Sequence, residues 1–228
     1  MSSYLLKVTL RGTPQLIWRR FVVPSFTSLN RLHEIIQVVM GWENKQPHAF
    51  YLKKQIYLPC MDKRGTCPKK SDVDGKSLPE EMFSLDDLIF QAGAKLKYHY
   101  DPEGDNWIHD ISVESIRYLN PDWPYPIYCL EGIRACPPES CGGVDGFCAL
   151  LKTLKDPTAP NEGQFERFGD FDPDRFSLEK VNKSFKVNGQ VNSDCGSIIS
   201  ISRKKASQSK EIDPLARLGQ TLRKKAVS

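Results

Sequence analysis

Tyr4, Leu6, Val8 and Leu10 alternate with Lys7, Thr9 and Arg11, the two-residue period of a half-buried strand. Gly12-Thr13-Pro14 reads as a turn and Ile17 to Val23 as a second β-rich run, so the chain opens with a hairpin. After Pro24, Thr27 or Ser28 can cap a helix whose apolar positions are Leu29, Leu32, Ile35, Ile36, Val39 and Met40, with Gly41 suited to its end. His48 to Tyr57 returns to an extended pattern. Hairpin, helix and strand in this order are the opening of a β-grasp-like unit. Pro59 to Pro79 is charged, rich in Gly, Pro, Lys and Asp, and without period: a loop insertion. Ser84-Leu-Asp-Asp87 has the form of a capping box and starts a short helix through Phe90. Leu96, Tyr98 and Tyr100 alternate with lysines and His99, and Trp107, His109, Ile111 and Val113 share one strand face, predicting strands over 95–101 and 107–117. Phe147, Leu150, Leu151 and Leu154 form a helical stripe, and Asp172-Pro173 is expected to open another helix burying Phe176, Leu178, Val181 and Phe185.

Two polar segments break this alternation. Cys129 to Phe147 holds three further positions of constraint: Cys136 and Cys141, Pro137-Pro138 before Glu139, and Gly142-Gly143. It is read as a loop with no helix or strand period, its path dictated by proline φ and by glycine's tolerance of positive φ. The turn of residues 101–110, with Gly104-Asp105-Asn106-Trp107, is the second. Loops so constrained commonly bind or present something.

Charge divides the chain. Residues 189–228 carry eight Lys/Arg against three acids, net +5 of a total of +4, so the first 188 residues stand at −1. The body is thus a single α+β domain of 188 residues followed by a basic, largely flexible tail, in which Asp213-Pro214 can open a short helix bearing Leu215, Leu218 and Leu222. Nucleic acid is a candidate partner of the tail, because phosphate binding needs concentrated positive charge. No apolar run reaches membrane-spanning length and residues 1–10 lack a signal-peptide pattern, so the expected compartment is cytoplasmic, without membrane insertion. An odd count of seven cysteines argues for reduced thiols over a disulfide framework.

Three constellations carry chemistry. His48 and His109 alternate onto apolar faces, and with Asp105 and Glu139 would form a His/carboxylate set suited to a divalent metal; alternatively both histidines simply tie loop carbonyls into the core. His33 is read as structural and His99 as solvated. Cys136-x4-Cys141 and Cys60-x6-Cys67 are candidate halves of a zinc site, without the two-residue spacing that makes zinc a strong inference. A thiolate at Cys136 or Cys141 beside His109 is the nucleophilic alternative. Trp18, Trp42, Trp107 and Trp123 with Tyr98, Tyr100, Tyr125 and Tyr128 are either base-stacking platforms or core. A phosphate-binding P-loop, a dinucleotide glycine fingerprint, a nucleophile-elbow serine and a helix-turn-helix are all missing from the sequence.

Ile17-Trp18-Arg19-Arg20, Leu32-His33, Met40-Gly41-Trp42, His48 with Phe50, Tyr100-Asp101, Gly104 to His109, Pro137-Pro138-Glu139, Gly142-Gly143, Gly146-Phe147, Phe171-Asp172-Pro173 and Val181-Asn182 occur in an order that resembles the plasmid pRiA4b ORF-3-like family. The resemblance runs from about Tyr4 to Phe185. It implies an α+β fold with a mixed or antiparallel sheet and helices packed on it, the company of mobile elements as a passenger protein, and no assigned activity. Ser140 stands where relatives carry Asp after Pro-Pro-Glu, and the turn after Tyr100 is one residue longer than theirs.

These observations lead to one expectation and its alternative. The first is a binding or interaction module that engages a protein or small ligand through the 101–110 and 129–147 loops, with Trp107, Pro138 and Gly142 as contacts. The alternative is a small metal-dependent hydrolase or nuclease built on His48, Asp105, His109 and Glu139.

Overall fold

The computed structural model describes residues 2–60, 77–118, 127–156 and 166–187. The tail with its leucine stripe, Cys67, Trp123 and Tyr125 lie outside these residues. Alternating apolar positions build one mixed sheet of eight strands: β1 (Ser2–Leu10), β2 (Ile17–Pro24), β3 (His48–Leu52), β4 (Gln55–Leu58), β5 (Ser77–Pro79), β6 (Lys95–Tyr100), β7 (Trp107–Tyr118) and β8 (Tyr128–Ile133). Their spatial order is β5-β4-β3-β6-β7-β1-β2-β8. Every pairing is antiparallel except β4 with β5. Four helices accompany it: α1 (Leu29–Met40), α2 (Leu85–Leu88), α3 (Gly143–Lys155) and α4 (Leu178–Val187).

The opening hairpin, helix and strand fall where the periodicity predicts. β3, however, does not return beside β1: β6 and β7 are inserted between them. β7 is long enough to pair with β1 along its whole length, from Leu10 with His109 to Ser2 with Tyr118, and so occupies the position a third strand would otherwise take. A bulge between Leu5 and Leu6 interrupts that pairing and leaves Glu114 as the extra residue of β7. Glu114 meets the Arg20 guanidinium in two hydrogen bonds of 2.7 and 3.0 Å.

Several boundaries differ from the sequence reading, each for a local reason. The extended run 48–57 is two strands, because Lys53 takes a left-handed φ of 55° and reverses the chain. Residues 77–79, read as the end of a loop, form β5. Within 129–147 only 134–142 is irregular: Cys129 to Ile133 belong to β8 and Gly143 to Phe147 to α3. The strand escaped notice because β8 is short, lies at the sheet edge, and has the interruption of a bulge opposite Arg20 and Phe21. Residues 173–174 form a turn, and the helix expected there begins only at Leu178; Ser177 Oγ accepts from Lys180 N at 3.2 Å in its first turn. Ser84 caps α2 in the capping box foreseen, although the helix ends at Leu88.

One face of the sheet is apolar: Tyr4, Leu6, Val8 and Leu10 from β1, Ile17, Phe21 and Val23 from β2, Phe50, Tyr98, Trp107, Ile111 and Val113. Leu29, Leu32, Ile35, Ile36 and Val39 of α1 and Phe147 and Leu150 of α3 belong to the same core. α4 packs against β8, where Asn182 accepts from Cys129 N and donates to Cys129 O, both at 2.9 Å. The outward-facing peptide groups of Cys129 on this edge strand are thereby satisfied.

Arg19 alternates onto the apolar face and is 1% exposed. Its Nε donates to Val39 O of α1 at 2.8 Å, Nη1 to Ile133 O and Nη2 to Arg134 O, both at 2.7 Å. The guanidinium lies over the Phe176 ring at 4.1 Å from its centre. β8 can pass this close only without a side chain: a Cβ on Gly132 would sit 2.7 Å from Arg19 Cδ and 2.9 Å from the Phe176 ring. Replacing a buried donor fork leaves several carbonyls unpaired, so Arg19→Met is expected to lower stability by about 3 kcal/mol or more. Arg20→Met, one residue on but facing outward, should cost about 1 kcal/mol or less. Chemical denaturation of the two variants checks the contrast, and equal losses would contradict it.

Candidate functional site

Three loops meet at the end of the sheet where β6 finishes and β7 begins: residues 43–47 after α1, 101–106 between β6 and β7, and 134–142 between β8 and α3. The Tyr100 hydroxyl is their common point. It donates to Glu139 Oε1 at 2.5 Å and accepts from the backbone N–H of Lys45 at 3.0 Å and Gln46 at 3.2 Å. Burial, with the bond to Glu139, drives the Tyr100 pKa well up, so the phenol stays a donor. Asp105 Oδ1 accepts from Gly142 N at 3.1 Å, and Asp101 Oδ2 closes its own turn on Asp105 N at 2.8 Å. A Cβ on Gly143 would lie 2.7 Å from Asp105 O, so the second of the paired glycines is what lets the loops touch.

Backbone conformation at this end is unusual. Among the described residues six non-glycine positions have positive φ, and five of them, Asn44, Asp101, Asn106, Arg134 and Ser140, lie on these three loops. Gly142 at 94° and Gly143 at 66° add to them. Beneath is an aromatic floor. Trp42 stacks on Tyr100 at 5.1 Å and on Trp107 at 6.1 Å between ring centres, meets His109 edge-on at 5.1 Å, and donates from Nε1 to Pro137 O at 2.9 Å.

The predicted residues separate into two groups. Asp105 and Glu139 reach the loop junction, with Gly142 exposed and Pro138 half-buried beside them. His109 does not: it is fully buried, its Nδ1 is 3.3 Å from Tyr98 O, and burial lowers its pKa to about 3. Trp107, expected as a loop contact, is 1% exposed and part of the floor. His48 is engaged elsewhere, stacked ring to ring on His33 at 3.4 Å with Nε2 3.0 Å from both carboxylate oxygens of Glu80. The quartet His48, Asp105, His109 and Glu139 is therefore not one site. Among the described residues no three His, Cys, Asp or Glu side chains gather closely enough to hold a metal ion.

The cysteines are likewise dispersed. Cys136 Sγ packs 3.7 Å from Met40 Sδ and 3.5 Å from Arg19 Nη2, whereas Cys141 Sγ is directed at Gly143 O at 3.8 Å. Burial raises their thiol pKa to about 11 and about 12, the opposite of what a nucleophile requires. Cys60 meets Glu81 through its backbone N–H. Cys60, Cys136 and Cys141 thus do not gather with one another or with other described ligating residues into a metal-holding group, and Cys67 lies outside the described residues.

A second, buried cluster joins His33, read as structural, and Tyr98 to Gln37, Asn44 and Glu80, which the sequence did not single out. His33 Nδ1 is 2.7 Å from the Tyr98 hydroxyl and Nε2 is 2.5 Å from Asn44 Oδ1, while Gln37 Nε2 donates to the same hydroxyl at 2.9 Å. Burial lowers the pKa of His33 and of His48 to about 4 and raises Glu80 to about 8. The signal for His33 was its helical spacing from Leu29 and Leu32; Glu80, at the end of an aperiodic stretch, offered none.

An eight-stranded α+β sheet with one helical layer and a knitted loop end defines the class. The chain belongs to the plasmid pRiA4b ORF-3-like protein family, whose model matches residues 2–180. It is 31% identical over 188 residues to uncharacterized protein y4hQ of Sinorhizobium fredii (strain NBRC 101917 / NGR234), covering 80% of this chain and 90% of that protein. Its fold is similar to the crystal structure of MM3350, a protein of unknown function from Methanosarcina mazei Go1, with a TM-score of 0.65, 29% identity, and coverage of 79% of this chain and 96% of that one.

Proton counting predicts how the buried cluster responds to pH. Folded, the His48–Glu80 pair holds one proton between about pH 4 and about pH 8, wherever along the contact it resides. Unfolded, with values of 6.5 and 4.5, the pair holds two protons below pH 4.5, one between, and none above pH 6.5. His33 and His109 stay neutral in the fold down to about 4 and about 3, but each binds a proton below 6.5 when unfolded. Stability should thus climb with pH to a maximum near 6.5, then fall toward pH 8 by about 1.4 kcal/mol per unit as Glu80 retains a proton the unfolded chain has lost. Denaturation across pH 5–8.5 checks this, and Glu80→Gln should flatten the alkaline arm and steepen the rise below pH 6.5, where the proton on folded Glu80 no longer offsets the one that unfolded His48 binds.

Proposed function

We propose that this protein is a binding module whose ligand or partner docks on the loop end formed by residues 43–47, 101–106 and 134–142. The observation that carries the reading is the concentration there of left-handed backbone on non-glycine residues. Such conformations cost on the order of 1–3 kcal/mol each and persist where surrounding structure holds them for a purpose. Here the hydroxyl of Tyr100, the Asp105–Gly142 contact and the Trp42–Pro137 bond hold them. The exposed rim is polar: Glu43, Asn44, Lys45, Glu103, Asn106, Ser140 and Gly142, with Arg167 donating to Ser140 O at 2.6 Å. Glu139 is presented from a neighbour that stays protonated, which keeps its carboxylate aimed. A rigid rim of this kind favours recognition, because little entropy is lost when a partner arrives.

The reading places the module in the cytoplasm and, as the family resemblance implies, in the company of mobile elements. No helix among the described residues is long and apolar enough to cross a membrane. The metal-dependent hydrolase or nuclease loses its support with the dispersal of its four residues.

Chemical-shift mapping against a fragment and peptide library tests the proposal. Binders should perturb backbone amides of the three loops first, and Gly143→Ala, which forces the 101–106 and 134–142 loops apart, should weaken them at least tenfold with the sheet signals unchanged. Perturbations confined to other faces would refute it. A stoichiometric divalent ion in elemental analysis of the purified protein would restore the hydrolase.

A further inference from the structure

The sheet face opposite the helices carries a different kind of surface. Strand register places Tyr51, Lys97, Asp110 and Thr9 side by side across β3, β6, β7 and β1, and Lys95, Ser112 and Lys7 in the next row. All of these but Lys7, with Lys53 and His99, line an open groove of about 690 Å³. Its charge is one-sided. Asp110 is engaged by Arg11 at 3.3 Å, while Lys53, Lys95 and Lys97 are exposed and enter no ion pair among the described residues. The near-neutral total of the body conceals this, since carboxylates such as Glu80, Asp86, Asp87 and Glu139 lie away from the groove lining.

The groove also has an aromatic surface. The rings of Tyr51 and His99 contact each other with centres 4.6 Å apart, both half-buried and on the outer side of their strands. Burial and the neighbouring Lys97 lower the His99 pKa below its usual value, so at neutral pH it offers a π-face. Lys53 is fixed at the edge by the left-handed turn between β3 and β4. Lysines flanking a ring pair on an open antiparallel sheet combine two demands of single-stranded nucleic acid: cations for phosphates and flat surfaces for unstacked bases. A duplex fits poorly, because among the described residues no helix or ribbon lines the groove to enter a major groove. An acidic peptide would use the lysines and leave the rings without a role.

We propose that this groove binds single-stranded nucleic acid, with bases on Tyr51 and His99 and phosphates on Lys53, Lys95 and Lys97. The site is separate from the loop end and does not depend on it.

Fluorescence anisotropy of the full chain with a 12-nucleotide oligo-uridine, the matching oligo-thymidine, a duplex of the same length and polyglutamate tests it. Both single strands should bind more tightly than duplex or polyglutamate, and the stronger of the two identifies RNA or DNA as the source. Tyr51→Ala should weaken binding about tenfold, the size of one lost base stack, while Tyr51→Phe retains it. Lys53→Gln/Lys95→Gln/Lys97→Gln should reduce the slope of log K against log salt by about two, three phosphates at about 0.7 each. Because these lysines are exposed, the triple variant keeps the test independent of any folding defect in Tyr51→Ala. Unchanged affinity and salt slope in the triple variant would overturn the proposal and assign any binding to residues 189–228. Equal binding of polyglutamate, or Tyr51→Ala binding as tightly as the parent, would overturn it as well.

Discussion

A single buried cation organises this fold. The Arg19 guanidinium joins three elements that are distant in sequence, the end of α1 at Val39, the exit of β8 at Ile133 and Arg134, and the approach to α4 at Phe176. It is matched with carbonyl oxygens and a ring face, all of them neutral. Carbonyls at a helix C-terminus bear partial negative charge, and Val39 O supplies it here. A buried ion is tolerated only when every donor is directed. The geometry of β8 and of the 134–142 loop is accordingly set from beneath, and Gly132 is the allowance that lets the strand pass.

From that anchor the loop end follows. The chain leaves Arg134 in a left-handed conformation, runs through Pro137, whose carbonyl holds Trp42, and delivers Glu139 to Tyr100. Trp42 in turn stacks on Tyr100 and Trp107, so the floor and the rim share residues. Changes at Arg19 should therefore be felt beyond Arg134 and Cys136, the two loop residues it touches, at the junction around Tyr100 and Glu139.

Much of this was legible in the sequence because the responsible force is periodic. Alternation placed β1, β2, β6 and β7, and helical spacing placed α1 and α3. The paired glycines announced the positive φ values that Gly142 and Gly143 adopt. Pairing partners were less accessible: nothing local in His48–Leu52 reveals that β6 and β7 will separate it from β1. Strand β8 was hidden because its support comes from Asn182, more than fifty residues away, and not from alternation of its own. The site residues suffered from the same limitation. His48 and His109 do face inward, but face alone does not say which carboxylate is near, and Glu80 reached His48 from a stretch that had no period to read.

Each border of the sheet, among the described residues, is blunted by its own means. On one, the Asn182 amide occupies the N–H and C=O of Cys129; on the other, β5 is three residues long and ends in Pro79, which has no N–H to offer. A growing sheet needs a free row of such groups. Strand addition at these borders is thereby disfavoured, and a partner is directed to the faces of the strands or to their ends.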